Sequence, residues 1–279
     1  MPEAPGRRTL CRASLNYAPA GGLGAGSPGP VAVDILDGRA ASLPGWAECG
    51  FELVHHDSAV SDWADDTAIC AVHYPEAEAL ARRVTGCDHA LVSDHVRRMA
   101  EPAGPGRVQS PVRLVHSDFA AGYDAIVRTA YREVRGRGAD TLARNGLTSA
   151  DVEGAERIVM LQLWRNVGPA RMDYPIAFCD ARTVTPDEVR PFTYTGYVAG
   201  GRAFDALAVV APPDPGRHSW YSFEEMTVDE VVVFRTYDTE LVARGRTWFT
   251  PHSAYRDPTV PEGGPSRASV ELRIMCLFG

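Results

Sequence analysis

This sequence specifies a mainly β protein with helices, an α+β chain whose simplest architecture is a double-sheet jelly roll buttressed by α-helices. Three observations lead there. Strand-like runs rich in β-branched and aromatic residues recur along the chain, separated by turn residues. Only a few stretches carry helical periodicity. No internal repeat and no mid-chain linker divides the sequence, so one domain is expected over residues 1–279, with the jelly-roll core over about 108–279.

The elements follow in order. Residues 1–30 comprise an N-terminal strand and a Gly/Pro-rich loop, "YAPAGGLGAGSPGP" over 17–30. Its "GGLGAG" is not a nucleotide loop, because Pro28 and Pro30 stand where the following helix would begin. "VAVDIL" (31–36) alternates like a strand, and "GFELVHH" (50–56) is a second candidate. "YPEAEALARRVTG" (74–86) reads as a helix with Pro75 in its first turn and Gly86 just past its end. Tyr123, Ile126, Val127, Ala130, Tyr131 and Val134 form one apolar helical stripe. Thr185, Pro186 and Glu188 make a capping box. The strands then continue as "IVMLQLW" (158–164), "YPIAFCD" (174–180), "DALAVVA" (205–211), "EVVVFRTY" (230–237) and "SVELRIMCLF" (269–278).

Composition narrows the function. The chain is 45% hydrophobic and 23% charged, with no run of 18 apolar residues and no apolar core in its first ten residues. A cytoplasmic protein is expected. Its net charge is −8 and it has no basic cluster, which argues against nucleic acid or a membrane as partner and for a small-molecule substrate. A homodimer is compatible with the sequence, which does not define the assembly. The 28 basic residues are all arginine. Without lysine there is no lysine-linked pyridoxal phosphate and no Walker A loop. The six cysteines are scattered, with no CxxC pair, as expected of reduced and mostly buried thiols.

Candidate chemistry begins with "PVRLVHSDFA", which sets His116 and Asp118 two residues apart at the end of a strand-like run. On a strand they share one face. A neutral imidazole beside a carboxylate can bind a divalent metal, and two histidines with one carboxylate on one octahedral face suit Fe(II). His252 in "WFTPHSAYRDP" is the third candidate. Downstream, Arg267, Ser269, Glu271 and Arg273 alternate on one strand face, where an arginine and a hydroxyl at i, i+2 can grip a carboxylate. His55 and Asp57 in "VHHDS" repeat the His-x-Asp spacing, so spacing alone does not choose between the pairs. There is no HExxH and no G-x-S-x-G.

The segments "GFELVHHDSAVSDW", "HYPEAEALARRVTGC", "RLVHSDF", "LQLWRNVGPARMDYPIAFCDARTV", "WYSFEEMTVDEVVVFRTYD", "HSAYRDP" and "SRASVELRIMCLF" run in order over about residues 50–278. In them the chain resembles the hydroxylase/desaturase family that includes the cephem 7α-methoxylating hydroxylase component, the fungal gibberellin desaturase and AsaB-type tailoring enzymes. The resemblance implies a double-stranded β-helix (cupin-like) oxygenase of secondary metabolism using Fe(II), 2-oxoglutarate and O2 and releasing succinate and CO2. It selects His116, Asp118 and His252 as metal ligands over the His55 pair. It implies Arg267 as the 2-oxoglutarate anchor and Ser269 as its hydroxyl partner, with Arg273 an alternative anchor. An intact Asp118 argues against halogenation. The chain departs from the family at "WRNVG", where the pattern is Trp-Arg-Pro. Trp164 and Arg165 there are candidates for the substrate pocket, or else a core tryptophan and an arginine paired with Asp173 or Asp180. Tyr221, Tyr237 and Trp248 are pocket wall or core, and Asp180 fixes a turn. The competing readings are a metal-dependent hydrolase or isomerase on the same barrel, and a non-catalytic small-molecule-binding protein.

Overall fold

The computed structural model describes residues 8–99, 108–132, 134–194 and 204–279, so the opening "MPEAPGR" lies outside it. In chain order the strands are β1 (Thr9–Tyr17), β2 (Gly29–Asp37), β3 (Phe51–His55), β4 (His89–Met99), β5 (Val108–Gln109), β6 (His116–Ser117), β7 (Arg157–Asn166), β8 (Ile176–Cys179), β9 (Val189–Tyr194), β10 (Phe204–Val209), β11 (Trp220–Ser222), β12 (Glu230–Asp238), β13 (His252–Ala254) and β14 (Ala268–Phe278). The helices are α1 (Trp46–Cys49), α2 (Asp66–Ala68), α3 (Tyr74–Thr85), α4 (Tyr123–Arg132), α5 (Arg137–Arg144), α6 (Ser149–Gly154) and α7 (Thr239–Ala243).

The strands build an eight-stranded sheet, β1-β2-β11-β8-β13-β6-β10-β9, and a six-stranded sheet, β3-β12-β7-β14-β4-β5. Both draw on strands from well before residue 108 as well as after it. Strand alternation explains how they pack. On β7, Val159, Leu161 and Leu163 face outward into an apolar cluster with Ile69, Leu80 and Ala81 of the helical layer. The intervening residues face the other sheet. Ile158 and Met160 join one inter-sheet cluster with Val115, Leu207 and Trp220. Trp164 joins a second with Phe51, Phe178 and Phe234. Gln162, between Met160 and Trp164, belongs to neither, so β7 places one amide between two apolar blocks.

Two bulges change which residues face inward. The β14–β4 register shifts between Arg273 and Ile274, leaving Ser93 as the extra residue of β4. Leu91 packs inward before it, and Val96 and Arg98 are the buried residues of that face beyond it. The β12–β7 register shifts between Arg235 and Tyr237, so Phe234 and Tyr237 both reach the inter-sheet core.

The expected strands are present. The expected helix at 74–86 ends as read, with Gly86 in the left-handed region at φ 71°. It also starts as read, at Tyr74 with Pro75 in its first turn, and further helical turns precede it. Asp65 caps α2, and a π-helical turn over Ile69–His73 runs directly into α3. Of the Tyr123–Val134 stripe, Tyr123, Val127, Tyr131 and Val134 pack on the core, while Ile126 is exposed. The capping box at Thr185 exists but closes only a single 3-10 turn, Pro186–Glu188. The strand run expected before His116 is mostly irregular. β6 is two residues long, and Leu114 makes only an isolated bridge to Asn16. All six cysteines are free thiols, four of them buried. Among the described residues no helix is long and apolar enough to cross a membrane.

Candidate metal centre

His116 and His252 are register partners on the adjacent strands β6 and β13, which sets their rings side by side at a centroid separation of 4.3 Å. Asp118 lies one residue beyond β6, and the three ligand atoms fall within 4.8 Å of one another. No other group of three candidate ligands occurs among the described residues. All three side chains are buried.

The hydrogen bonds orient the donors. His116 Nδ1 donates to Leu114 O at 2.8 Å, and His252 Nδ1 donates to Thr250 O at 3.1 Å. A ring nitrogen that donates to a carbonyl carries the proton, so Nε2 of each ring holds its lone pair toward the cluster. Burial lowers the pKa of His116, and it brings that of His252 down to about 3, so both rings are neutral at pH 7. Burial alone would raise Asp118, but the Arg273 guanidinium overrides it and the pKa falls to about 2. Two neutral imidazoles and one carboxylate therefore converge, a donor set that fits a divalent first-row metal with half its positions open. Phe234 closes one side, edge-on to His252 at 4.8 Å.

Next to the cluster is a narrow cleft, lined by Arg98, Val112, Gln162, Ile176, Ala254, Arg267 and Glu271 as well as the three candidate ligands. Glu271 sits between two arginines. Both its oxygens accept from Arg98 Nε at 3.0 Å, and Oε1 accepts from Arg267 Nη2 at 2.8 Å. Burial raises the Glu271 pKa, Arg98 and Arg267 lower it, and the net shift is downward. Arg267 Nε donates to Ser269 Oγ at 2.9 Å, and its guanidinium lies over the Trp164 ring at 5.2 Å. The cleft is thus lined both by the metal-ligand cluster and by Arg267, whose guanidinium Ser269 contacts.

The structure brings together His116, Asp118, His252, Arg267 and Ser269. Arg273 is also there, but it donates from Nε to Asp118 Oδ2 at 3.1 Å. Trp164 faces inward and lines a neighbouring cleft that shares Ile176 with the first. Arg165 is not in the site. It points to the outer face of β7, over Trp63 at 5.1 Å, and donates to the His56 and Val228 carbonyls. Nor does it pair with Asp173 or Asp180. Asp180 caps the turn after β8 and pairs with Arg182 at 2.7 Å, while Asp173 accepts from the Arg267 backbone at 2.9 Å. The rival pair His55–Asp57 is an exposed contact at 3.3 Å. Tyr221, Tyr237 and Trp248 are buried core residues, and Tyr237 donates to Asp124 at 2.6 Å.

At the "WRNVG" departure, Asn166 builds the turn that a proline would otherwise shape. Its Oδ1 accepts from Gly168 N at 3.0 Å, and its Nδ2 donates to Met226 O at 2.9 Å. A Cβ on Gly168 would stand 2.9 Å from Ala268 Cβ, so glycine permits the close approach of this turn to the start of β14.

Gln162 and Arg98 were not marked by the sequence motifs. Gln162 had a usable signal, as the lone polar residue in "IVMLQLW". Arg98 had none, because "RRM" reads as an exposed basic pair and the bulge that buries Arg98 depends on β14.

Comparison with known proteins agrees with this geometry. The chain is 28% identical over 218 residues to the Fe(II)/2-oxoglutarate-dependent dioxygenase nvfI of Aspergillus novofumigatus, covering 77% of this chain and 70% of the relative. It is 29% identical over 244 residues to the hydroxylase/desaturase CTB9 of Cercospora beticola, covering 80% and 69%. Among solved structures it matches the iron and alpha-ketoglutarate-dependent endoperoxidase NvfI with a TM-score of 0.74 at 24% identity, over 98% of this chain and 99% of that one, a likeness of fold. The model of the oxidoreductase/YMDC permease-like domain matches residues 25–277. The chain therefore belongs to that oxidoreductase family, and its curated relatives here are Fe(II)/2-oxoglutarate-dependent dioxygenases and hydroxylase/desaturases.

Proposed function

We propose that the protein is an Fe(II)- and 2-oxoglutarate-dependent oxygenase that hydroxylates or desaturates a small organic molecule of secondary metabolism, and that its two sheets form a double-stranded β-helix. The observation that carries the reading is the convergence of His116, Asp118 and His252, with both Nε2 atoms facing inward, on a cleft that Arg267 also lines, its guanidinium held by Ser269. His116 Nε2, His252 Nε2 and Asp118 would hold the metal. Bound Fe(II) supplies the oxidative chemistry with 2-oxoglutarate and O2, yielding succinate and CO2. This chain's residues bind, orient and shield. Arg267 receives the distal carboxylate, with Ser269 steadying the guanidinium from one side and Trp164 supporting it from below. Phe234 and the flanking apolar clusters exclude water. Trp164 also borders the adjoining surface cleft, which lies beside the candidate site. Six free cysteines and a net charge of −8 suit an enzyme of a reducing cytoplasm acting on a small molecule rather than nucleic acid.

An anaerobic titration tests this. Apo-protein takes Fe(II) and then 2-oxoglutarate while the visible charge-transfer band of the chelate is followed. Wild type and a His55→Ala control should develop the band, and Asp118→Ala and Arg267→Leu should lose most of it. Bound metal with no band in wild type would sink the oxygenase reading and favour Lewis-acid chemistry at the same ligands.

A further inference from the structure

Asp118 divides its two oxygens between different tasks. Oδ1 faces His116 Nε2 at 3.7 Å. Oδ2 faces the six-stranded sheet, where it accepts from Arg273 Nε at 3.1 Å and from Gln162 Nε2. Each carboxylate oxygen has two lone-pair directions, so these two donors saturate Oδ2. The two donors are not independent: Arg273 on β14 and Gln162 on β7 are direct register partners. Side chains at such paired positions stand next to each other on one face of the sheet. Gln162 is buried, a costly place for an amide unless its hydrogen bonds are made, and Asp118 supplies one.

We propose that Gln162 and Arg273 are a positioning clamp on the non-ligating oxygen of Asp118, holding the carboxylate so that it meets the metal through Oδ1 alone. The proposal rests on the metal-centre reading above. It reaches across the molecule, because the ligand belongs to one sheet's edge of the site and the clamp to the other sheet. It also gives Arg273 a task other than anchoring the cosubstrate, since its Nε is committed to Asp118 while Arg267, six residues earlier on the same face, stands beside Ser269. The pair of donors stops the carboxylate rotating into a bidentate pose that would consume an open metal position.

The test measures binding rather than turnover. Mn(II) affinity is read by equilibrium dialysis of the apo-protein, and 2-oxoglutarate affinity by anaerobic calorimetry at saturating Mn(II). Wild type is compared with Gln162→Leu, Arg273→Met, Arg273→Lys, Arg267→Met and Asp118→Ala. Circular dichroism checks that each is folded. Loss of an outer partner of a metal ligand typically weakens metal binding about 10–100-fold, so Gln162→Leu and Arg273→Met should each show a loss of that order. Their affinity for 2-oxoglutarate at saturating metal should stay near wild type. Arg267→Met should do the reverse, and Arg273→Lys, which keeps a cationic donor, should recover part of the metal affinity. Wild-type Mn(II) affinity in both clamp variants would overturn the proposal. So would loss of 2-oxoglutarate with unchanged metal binding in Arg273→Met, which would make Arg273 the anchor. Failure of the metal-centre reading looks different, because wild type and Asp118→Ala would then bind Mn(II) equally weakly.

Discussion

Both histidines of the centre are turned by the same local device, a carbonyl two residues earlier that accepts from Nδ1: Leu114 for His116 and Thr250 for His252. Each segment therefore carries its own means of presenting Nε2. A third buried histidine, His73, shows the opposite case. Its Nδ1 faces Glu76 at 3.3 Å, its Nε2 is buried without a partner, and burial, helped by the charge of Arg165, drives its pKa down to about 2. The native state then holds His73 neutral, while an unfolded chain protonates it below about 6.5. The unfolded state binds the extra proton, so the associated stability is present above pH 6.5 and is lost as pH falls below it, at up to about 1.4 kcal/mol per pH unit. His218, lowered by burial to about 4, acts in the same direction. Denaturant unfolding of wild type and His73→Phe at pH 7.5 and 5.5 checks this. The variant should lose less stability between the two pH values, and equal losses would show that His73 is not held neutral. At this scale His116, Asp118, His252 and Arg267 were readable because short motifs carry them. Gln162 and Arg98 were hidden because their roles arise from partners on other strands.

The helical layer shows where local signals succeed and where they were passed over. α3 ends at Gly86 because a residue at φ 71° terminates the helix without the strain a Cβ would bring. The helical run that contains it begins upstream, where Asp65 accepts from Thr67 N at 2.8 Å. The chain is then helical without a break from Asp66 to Thr85, the π turn absorbing the transition. Pro75 stands in the first turn of α3, as its sequence position indicates, with the π turn directly before it. Asp65→Ala should cost about 1 kcal/mol of stability, the usual worth of an N-cap. Urea denaturation should show a lower midpoint with an unchanged slope, and an unshifted midpoint would mean that packing on the sheet alone sets the start of this helix. Strands were easier to locate than to extend. "VRLVH" has the composition of a strand, yet only His116 and Ser117 find ladder partners. β4 lacked a clear alternation because its bulge inverts the pattern halfway.

Across the whole molecule, the candidate metal centre lies where the two sheets meet. β6 and β13 of one sheet bring the imidazoles, and β7 and β14 of the other bring the donors that grip Asp118. These segments come from distant parts of the chain, and no unfolded chain holds them together. A metal that binds only the folded site stabilises it by mass action, about 2.7 kcal/mol at a free concentration one hundred times Kd. Thermal melts with excess Mn(II) should therefore rise, EDTA should reverse the rise, and Asp118→Ala should show none. A rise of equal size in Asp118→Ala would place the stabilising ion elsewhere. Periodicity and turn chemistry carry the chain's β character and most strand positions, because each depends on residues near one another in sequence, whereas spacing leaves two His-x-Asp pairs open and only the family resemblance selects His116, Asp118 and His252. The tertiary structure decided the rest: the two bulges, the outward turn of Arg165, the commitment of Arg273 to Asp118 and the burial of Arg98 and Gln162. Each of these depends on register between strands remote in sequence, and register is settled by which apolar faces can be buried together, not by any one segment's own pattern.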